Sequence, residues 1–97
     1  MKIYISGKVT GTNDYVERFA EAQRTLEVKY PCCEIVNPVR ENSKLPEDTS
    51  WIGYMANSVN LLSECDVIYM LKGWEQSRGA GIEHALAIGA EMEIIYE

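Results

Sequence analysis

Two different spacings of apolar residues alternate along the chain. Short runs of apolar, β-branched and aromatic residues are separated by longer segments in which apolar residues recur every three or four positions. The short runs are typical of strands, and the longer spacing is typical of helices that bury one face. The pattern predicts strands over residues 2–6, 34–37, 66–71 and 92–96, and helices over residues 14–30, 51–64 and 77–90.

The order of these segments predicts one parallel sheet covered by helices on both faces. Strands and helices alternate, and residues 66–71 form a nearly continuous apolar run, as expected of a strand that is buried on both faces. Such an order favours right-handed crossovers between parallel strands. We therefore predict an α/β fold, a small flavodoxin-like or Rossmann-like three-layer sandwich with four or five parallel strands. Residues 1–97 are expected to form a single domain.

Composition argues against several classes of function. The chain has a net charge of −6, and a nucleic acid polymer is not an expected partner because such binding requires a basic face. Cys32, Cys33 and Cys65 have no CxxC spacing and His84 is the single histidine, so we expect reduced thiols, no metal site and no cofactor. The apolar start of the chain is too short for a secretion signal or a membrane span, which predicts a cytoplasmic protein.

Three predicted loops follow the carboxyl ends of strands, where parallel sheets bind ligands. They cover residues 6–13, 37–50 and 72–79, and the polar stretch 40–50 has no apolar period. In the third loop, Ser77 and Gly79 stand at the start of a predicted helix, where backbone N–H groups can hold an anion such as a phosphate. The alternative is that Ser77 only caps the helix and the glycines only serve the turn. Neither GxGxxG nor GxxxxGK[ST] is present.

Two residues beside this loop are candidates for contact with a nucleoside. Glu83 lies about one turn into the helix, and a carboxylate there could attack the anomeric carbon of a sugar. Alternatively, Glu83 is an exposed acid that interacts favourably with the helix dipole. Trp74, in the loop, is the better candidate for stacking on a base, because Trp51 and Tyr54 have the helical spacing of core residues.

Three segments also carry a family resemblance. They are Ile3-Tyr4-Ile5-Ser6-Gly7 with Thr10-Gly11; residues 65–80, which include Gly73-Trp74-Glu75-Gln76-Ser77-Arg78-Gly79-Ala80; and Glu83-His84-Ala85-Leu86-Ala87. Together they resemble the nucleoside 2-deoxyribosyltransferase-like superfamily, and within it a branch of short stand-alone proteins of unknown function. One departure is Lys8, where this branch usually has proline.

The resemblance implies roles for individual residues. It implies that Glu83 is a nucleophile that forms a deoxyribosyl-enzyme, which water or a second base then resolves. It implies that Ser77 and the first loop hold a 5′-phosphate, and that a catalytic aspartate of the superfamily is replaced here by Ser58. The substrate-binding candidates are Ser6, Gly7, Gly11, Ser58, Trp74, Ser77 and Gly79.

Because a serine cannot supply a carboxylate, two outcomes stay open. Asp66, Glu64 or another acid could replace the missing aspartate, with Asp66 and Tyr4 as candidates for protonating the leaving base. Otherwise the protein has kept the pocket and lost the reaction. The leading hypothesis is an N-glycosidase or deoxyribosyltransferase acting on a nucleoside or nucleoside 5′-monophosphate. The alternatives are a non-catalytic nucleotide-binding or sequestering protein and, third, a structural protein.

Self-association is also expected. A chain of 97 residues builds only a small core, and its predicted helices carry several large apolar residues. The resemblance points the same way, because superfamily members often complete their sites from a neighbouring subunit. We predict a homodimer or larger assembly, with the helix that contains Trp51 and Tyr54 as the first candidate interface.

Overall fold

A computed structural model describes all residues 1–97. It contains four strands and four α-helices in the order β1 (Lys2–Ser6), α1 (Tyr15–Lys29), β2 (Glu34–Val36), α2 (Pro38–Asn42), α3 (Trp51–Leu62), β3 (Val67–Met70), α4 (Arg78–Gly89) and β4 (Glu93–Tyr96). A single 3₁₀ turn, Trp74–Gln76, lies between β3 and α4.

The four strands form one parallel sheet in the order β2-β1-β3-β4. The central strands β1 and β3 are buried on both faces because helices cover the sheet on both sides. On one face, Ile3 and Ile5 pack against Phe19 of α1. On the other face, Tyr4 packs with Leu62 of α3 and with Ala80 and Ala87 of α4. The predicted three-layer α/β sandwich with a parallel sheet is therefore confirmed, with four strands.

Strand periodicity determines which residues of β1 meet α4. Successive side chains of a strand point to opposite faces, so Tyr4 and Ser6 share the face that α3 and α4 cover. Both are almost completely buried. This alternation brings two hydroxyl groups next to the first turns of α4.

The prediction that residues 40–50 form only a loop is wrong at its start. Pro38–Asn42 is a short helix whose cap, Asn37, accepts hydrogen bonds from the backbone N–H groups of Val39 and Arg40. Pro38 suits the first helical position because its ring fixes φ and no N–H is needed there. Five residues are too few to show a helical period, which is why the pattern of apolar residues missed this helix.

The remaining structural expectations concern cysteines, metals and membranes. Cys32, Cys33 and Cys65 are free thiols, as predicted. No group of three or more His, Cys, Asp and Glu side chains is placed to hold a metal ion. Every helix is too short or too polar to cross a membrane.

Candidate active site

A cavity of about 710 Å³ opens at the carboxyl ends of the strands. Its walls are the loop after β1, the start of α1, the short helix α2, one side of α3 and the start of α4. Pockets for small molecules and cofactors usually measure roughly 300–1,000 Å³. The position agrees with the rule that parallel sheets bind ligands beyond the carboxyl ends of their strands, and the volume suits a nucleoside or nucleotide.

Glu83 lines this cavity and is held by two hydroxyl groups of β1. The hydroxyl of Tyr4 donates a hydrogen bond to Oε2 at 2.5 Å, and Ser6 Oγ donates one to Oε1 at 2.6 Å. The carboxyl is only 6% exposed. The expectation of an exposed first-turn acid is therefore wrong, because the helix turns Glu83 toward the sheet.

Burial has the largest effect on the pKa of Glu83. It raises the pKa of Glu83 above the ordinary value of a glutamate, and the hydrogen bonds from Ser6 and Tyr4 only partly oppose this effect. Burial and then the negative charge of Glu83 raise the pKa of Tyr4 well above its ordinary value. Tyr4 therefore remains a neutral phenol that donates its proton to the carboxylate.

The rim of the cavity near α4 is suited to an anion. Ser77 caps α4, because its hydroxyl accepts a hydrogen bond from the backbone N–H of Ala80 at 3.1 Å. Gly7 and Gly79 also line the cavity. A side chain at Gly7 would place its Cβ 2.8 Å from a carbon of Leu71, so the first loop can approach β3 closely only with glycine here.

Two cations, Lys8 and Arg78, line the same cavity, and sequence reasoning missed both as binding residues. All ion pairs of the structure involve other basic residues. The Arg78 guanidinium lies over the ring of Trp51, 5.1 Å from its centroid. The available signal was their position in the chain, since Lys8 follows Gly7 and Arg78 follows Ser77. An acidic chain thus presents two unpaired positive charges at its cavity.

Ser58 lies deeper in the cavity and is connected to amide side chains. Its hydroxyl accepts a hydrogen bond from Asn42 Nδ2 at 3.0 Å, and Asn42 Oδ1 accepts one from Asn57 Nδ2 at 2.6 Å. Ser58 is buried. Sequence reasoning identified Ser58 but missed Asn42, which lies in the helix that was predicted to be a loop.

Comparison with known proteins identifies the family. The sequence profile of the family described as domain of unknown function DUF4406 matches residues 1–96. The chain belongs to this family. Its structure is similar to that of the 2-deoxyribosyltransferase of the psychrotolerant bacterium Bacillus psychrosaccharolyticus, with a TM-score of 0.75 and 12% identity, covering 99% of this chain and 71% of that chain. The predicted resemblance to a branch of unknown function on this fold is confirmed. No curated protein matches the sequence significantly.

Two acids that were expected to assist Glu83 lie at the end of the sheet opposite the cavity. Asp66 precedes β3, and its Oδ2 accepts a hydrogen bond from the backbone N–H of Lys2 at 2.9 Å. Glu64 pairs with the Lys2 ammonium at 3.7 Å. Since Lys2 begins β1, both acids lie at the amino ends of the strands. The expectation that Asp66 or Glu64 replaces the missing aspartate is wrong.

The aromatic residues of this DUF4406 protein also differ from expectation. Trp74 does not line the cavity, because its ring stacks on His84 with centroids 4.1 Å apart. The prediction that Trp74 stacks on a base is therefore wrong. Trp51 and Tyr54, expected in the core, line the cavity instead. Trp51 is 42% exposed and is placed for contact with a ligand.

Two residues of the first loop have roles other than the predicted contact with phosphate. Gly11 lies outside the cavity lining and adopts a left-handed backbone conformation (φ +83°), which glycine tolerates best. The hydroxyl of Ser6 is directed to Glu83. The loop offers Gly7, Lys8 and Thr10 to the cavity instead.

Proposed function

We propose that this DUF4406 protein is an N-glycosidase or 2-deoxyribosyltransferase, acting on a nucleoside or nucleoside 5′-monophosphate with Glu83 as the nucleophile. The observation that carries the proposal is the buried Glu83 carboxylate, held by Tyr4 and Ser6 inside a cavity of nucleotide size. The fold shared with a 2-deoxyribosyltransferase supports it. No cofactor is required by this chemistry.

The geometry suits a reaction in two steps. Breaking the bond between the sugar C1′ and the base builds positive charge on the sugar, which a nearby carboxylate stabilises. One oxygen of Glu83 then bonds to C1′ while the electron pair of the broken bond leaves with the base. Water or a second base attacks C1′ and releases Glu83. Tyr4 and Ser6 keep the carboxylate in one orientation throughout.

The test is direct measurement of base release. The protein is incubated with 2′-deoxynucleosides and their 5′-monophosphates, and free base is separated and quantified by chromatography. Adding a second base distinguishes transfer from hydrolysis, because transfer forms a new nucleoside. Release of free base that requires the protein supports the proposal. Binding of these ligands without release over hours contradicts it.

One observation favours a second candidate, a protein that binds or sequesters a nucleotide without cleaving it. Glu83 is the single carboxylate that lines the cavity, and Ser58 is too weak an acid to protonate a leaving base. In that case Glu83 accepts hydrogen bonds from the hydroxyl groups of the sugar. The release assay separates the two functions, because sequestration predicts affinity without free base.

A first prediction concerns the phosphate. Ser77→Ala is expected to weaken binding of a 5′-monophosphate by roughly 1–2 kcal/mol, the size of a charge-assisted hydrogen bond, and to leave nucleoside binding nearly unchanged. Calorimetric titration of both ligands measures this difference. Ser50→Ala is the matched control, because Ser50 caps α3 in the same way and lies outside the cavity lining. Equal losses for both ligands would show that Ser77 is only a helix cap.

A second prediction concerns assembly. The helix α3 has no charged residue, and the outward side of α4 exposes Ile82 and Leu86. We propose that this uncharged surface, with Ile52 at its edge, joins two copies in a homodimer. Light scattering should give twice the chain mass of 11.0 kDa. Ile52→Glu should reduce this to one chain mass, whereas Val28→Glu on α1, which is also exposed, should not. A wild-type protein of one chain mass would contradict the prediction.

A further inference from the structure

Asn42, Asn57 and Ser58 form a connected group that we call the amide cluster. Asn42 comes from α2, while Asn57 and Ser58 are neighbours on α3. Asn57 Nδ2 donates to Asn42 Oδ1 at 2.6 Å, and Asn42 Nδ2 donates to Ser58 Oγ at 3.0 Å. Asn42 and Ser58 line the cavity. The cluster therefore forms part of the wall of the cavity that Glu83 also lines.

The two hydrogen bonds of the amide cluster run from Asn57 to Asn42 and from Asn42 to Ser58. The carbonyl of Asn42 accepts from Asn57 and one Nδ2 hydrogen goes to Ser58, so the second Nδ2 hydrogen is the group that Asn42 has left to donate to a ligand. Ser58 lowers the pKa of the Tyr4 phenol, although burial raises it more. Tyr4 in turn donates to Glu83. The Tyr4 proton is therefore used to hold Glu83.

This arrangement limits how a base can leave. A leaving base that needs a proton requires an acid, and Glu83 is the one carboxyl among the residues that line the cavity. The remaining titratable groups there are Lys8, Arg78 and tyrosines. What the amide cluster supplies is a neutral donor that can stabilise developing negative charge. The cavity thus favours a base that departs as an anion.

We propose that the Asn42 amide binds the carbonyl oxygen of the base, and that the substrates are 2′-deoxynucleotides of uracil or thymine. This inference rests on the proposed function. As the bond between C1′ and N1 breaks, its electron pair stays on N1 and spreads onto the carbonyl oxygens of the pyrimidine. A Glu83 oxygen bonds to C1′, no proton is transferred in this step, and the released base takes its proton from water.

The experiment compares base release from deoxyuridine 5′-monophosphate and deoxyadenosine 5′-monophosphate. The wild type is expected to cleave the uracil nucleotide at least about tenfold faster, and Asn42→Ala should slow that cleavage by about 100-fold in kcat without changing adenine release. Asn42→Asp keeps the shape, loses the donor and adds an acid, so adenine release should rise. The matched control is Asn60→Ala, an exposed amide of α3 outside the cavity lining.

Two results would overturn the inference while leaving the proposed function intact. One is faster adenine release by the wild type, and the other is an equal loss of both activities in Asn42→Ala, which would show a merely structural role. If neither nucleotide is cleaved, the proposed function fails, and the affinities of the wild type and the variant for the two nucleotides then test the inference. In that case, wild-type preference for the uracil nucleotide that is lost in Asn42→Ala supports the assignment of Asn42, and equal affinities overturn it.

Discussion

Replacing Glu83 by glutamine is expected to lower the rate of base release by at least about 10⁴-fold, the scale on which enzymes lose activity when a nucleophile is removed. The amide keeps the shape of the side chain but cannot form the bond to C1′. Affinity for the nucleotide should stay within about tenfold, because the groups that bind the phosphate and the base are unchanged. Single-turnover release and calorimetric titration measure the two quantities separately.

Folding of the Glu83→Gln variant can be checked through its pH dependence. Burial raises the pKa of Glu83 in the folded protein, so the wild type loses this contribution to stability as pH rises through that raised value. Glutamine does not titrate, so the difference between the unfolding midpoint of the variant and that of the wild type should increase in favour of the variant from acid to neutral pH. Glu75→Gln, an exposed acid outside the cavity, is the matched control for activity. More than about a tenth of the wild-type release in Glu83→Gln would place the nucleophile elsewhere.

The sheet and the three longer helices could be predicted because each shows its own period. The sequence also identified Glu83, Tyr4 and Ser6 one by one. What it could not show is that they meet, because the hydrogen bonds join residues 79 and 77 positions apart in the chain. Periodicity places Tyr4 and Ser6 on one face, but only the packing of α4 on β1 brings Glu83 to them.

Each error in the predicted site has an identifiable structural cause. Asp66 was proposed as an acid because Ser58 cannot supply a carboxylate, but Asp66 lies at the amino end of β3, whereas the ligand edge lies at the carboxyl end, at Met70. Trp74 was chosen because it lies in a loop near the site, and the pattern could not show that His84 stacks on its ring. The position of Asn42 depends on a helix too short to produce a period. Contacts between distant segments decided the first two cases, and the shortness of α2 decided the third.

Tyr4→Phe is expected to reduce base release by about 100-fold at neutral pH, the cost of removing one preorganised donor. The phenyl ring still fills the space between Leu62 and Ile68, so the fold should persist. The hydrogen bond from Tyr4 lowers the pKa of Glu83, and without it that pKa must rise. Since only the carboxylate attacks C1′, the pH at which activity falls on the acid side should move upward in the variant.

The pH profile of kcat/KM separates two ways in which Tyr4 can act. If its hydroxyl only keeps Glu83 ionised, the variant recovers the wild-type rate at high pH. If it also stabilises the carbonyl oxygen of the glycosyl-enzyme ester, a loss persists at every pH, and we expect this second result because the bond to Oε2 remains available in the intermediate. Tyr69→Phe is the matched control, since Tyr69 lies on β3 outside the cavity lining. An unchanged acid limb in Tyr4→Phe would show that this hydrogen bond does not control the protonation of Glu83.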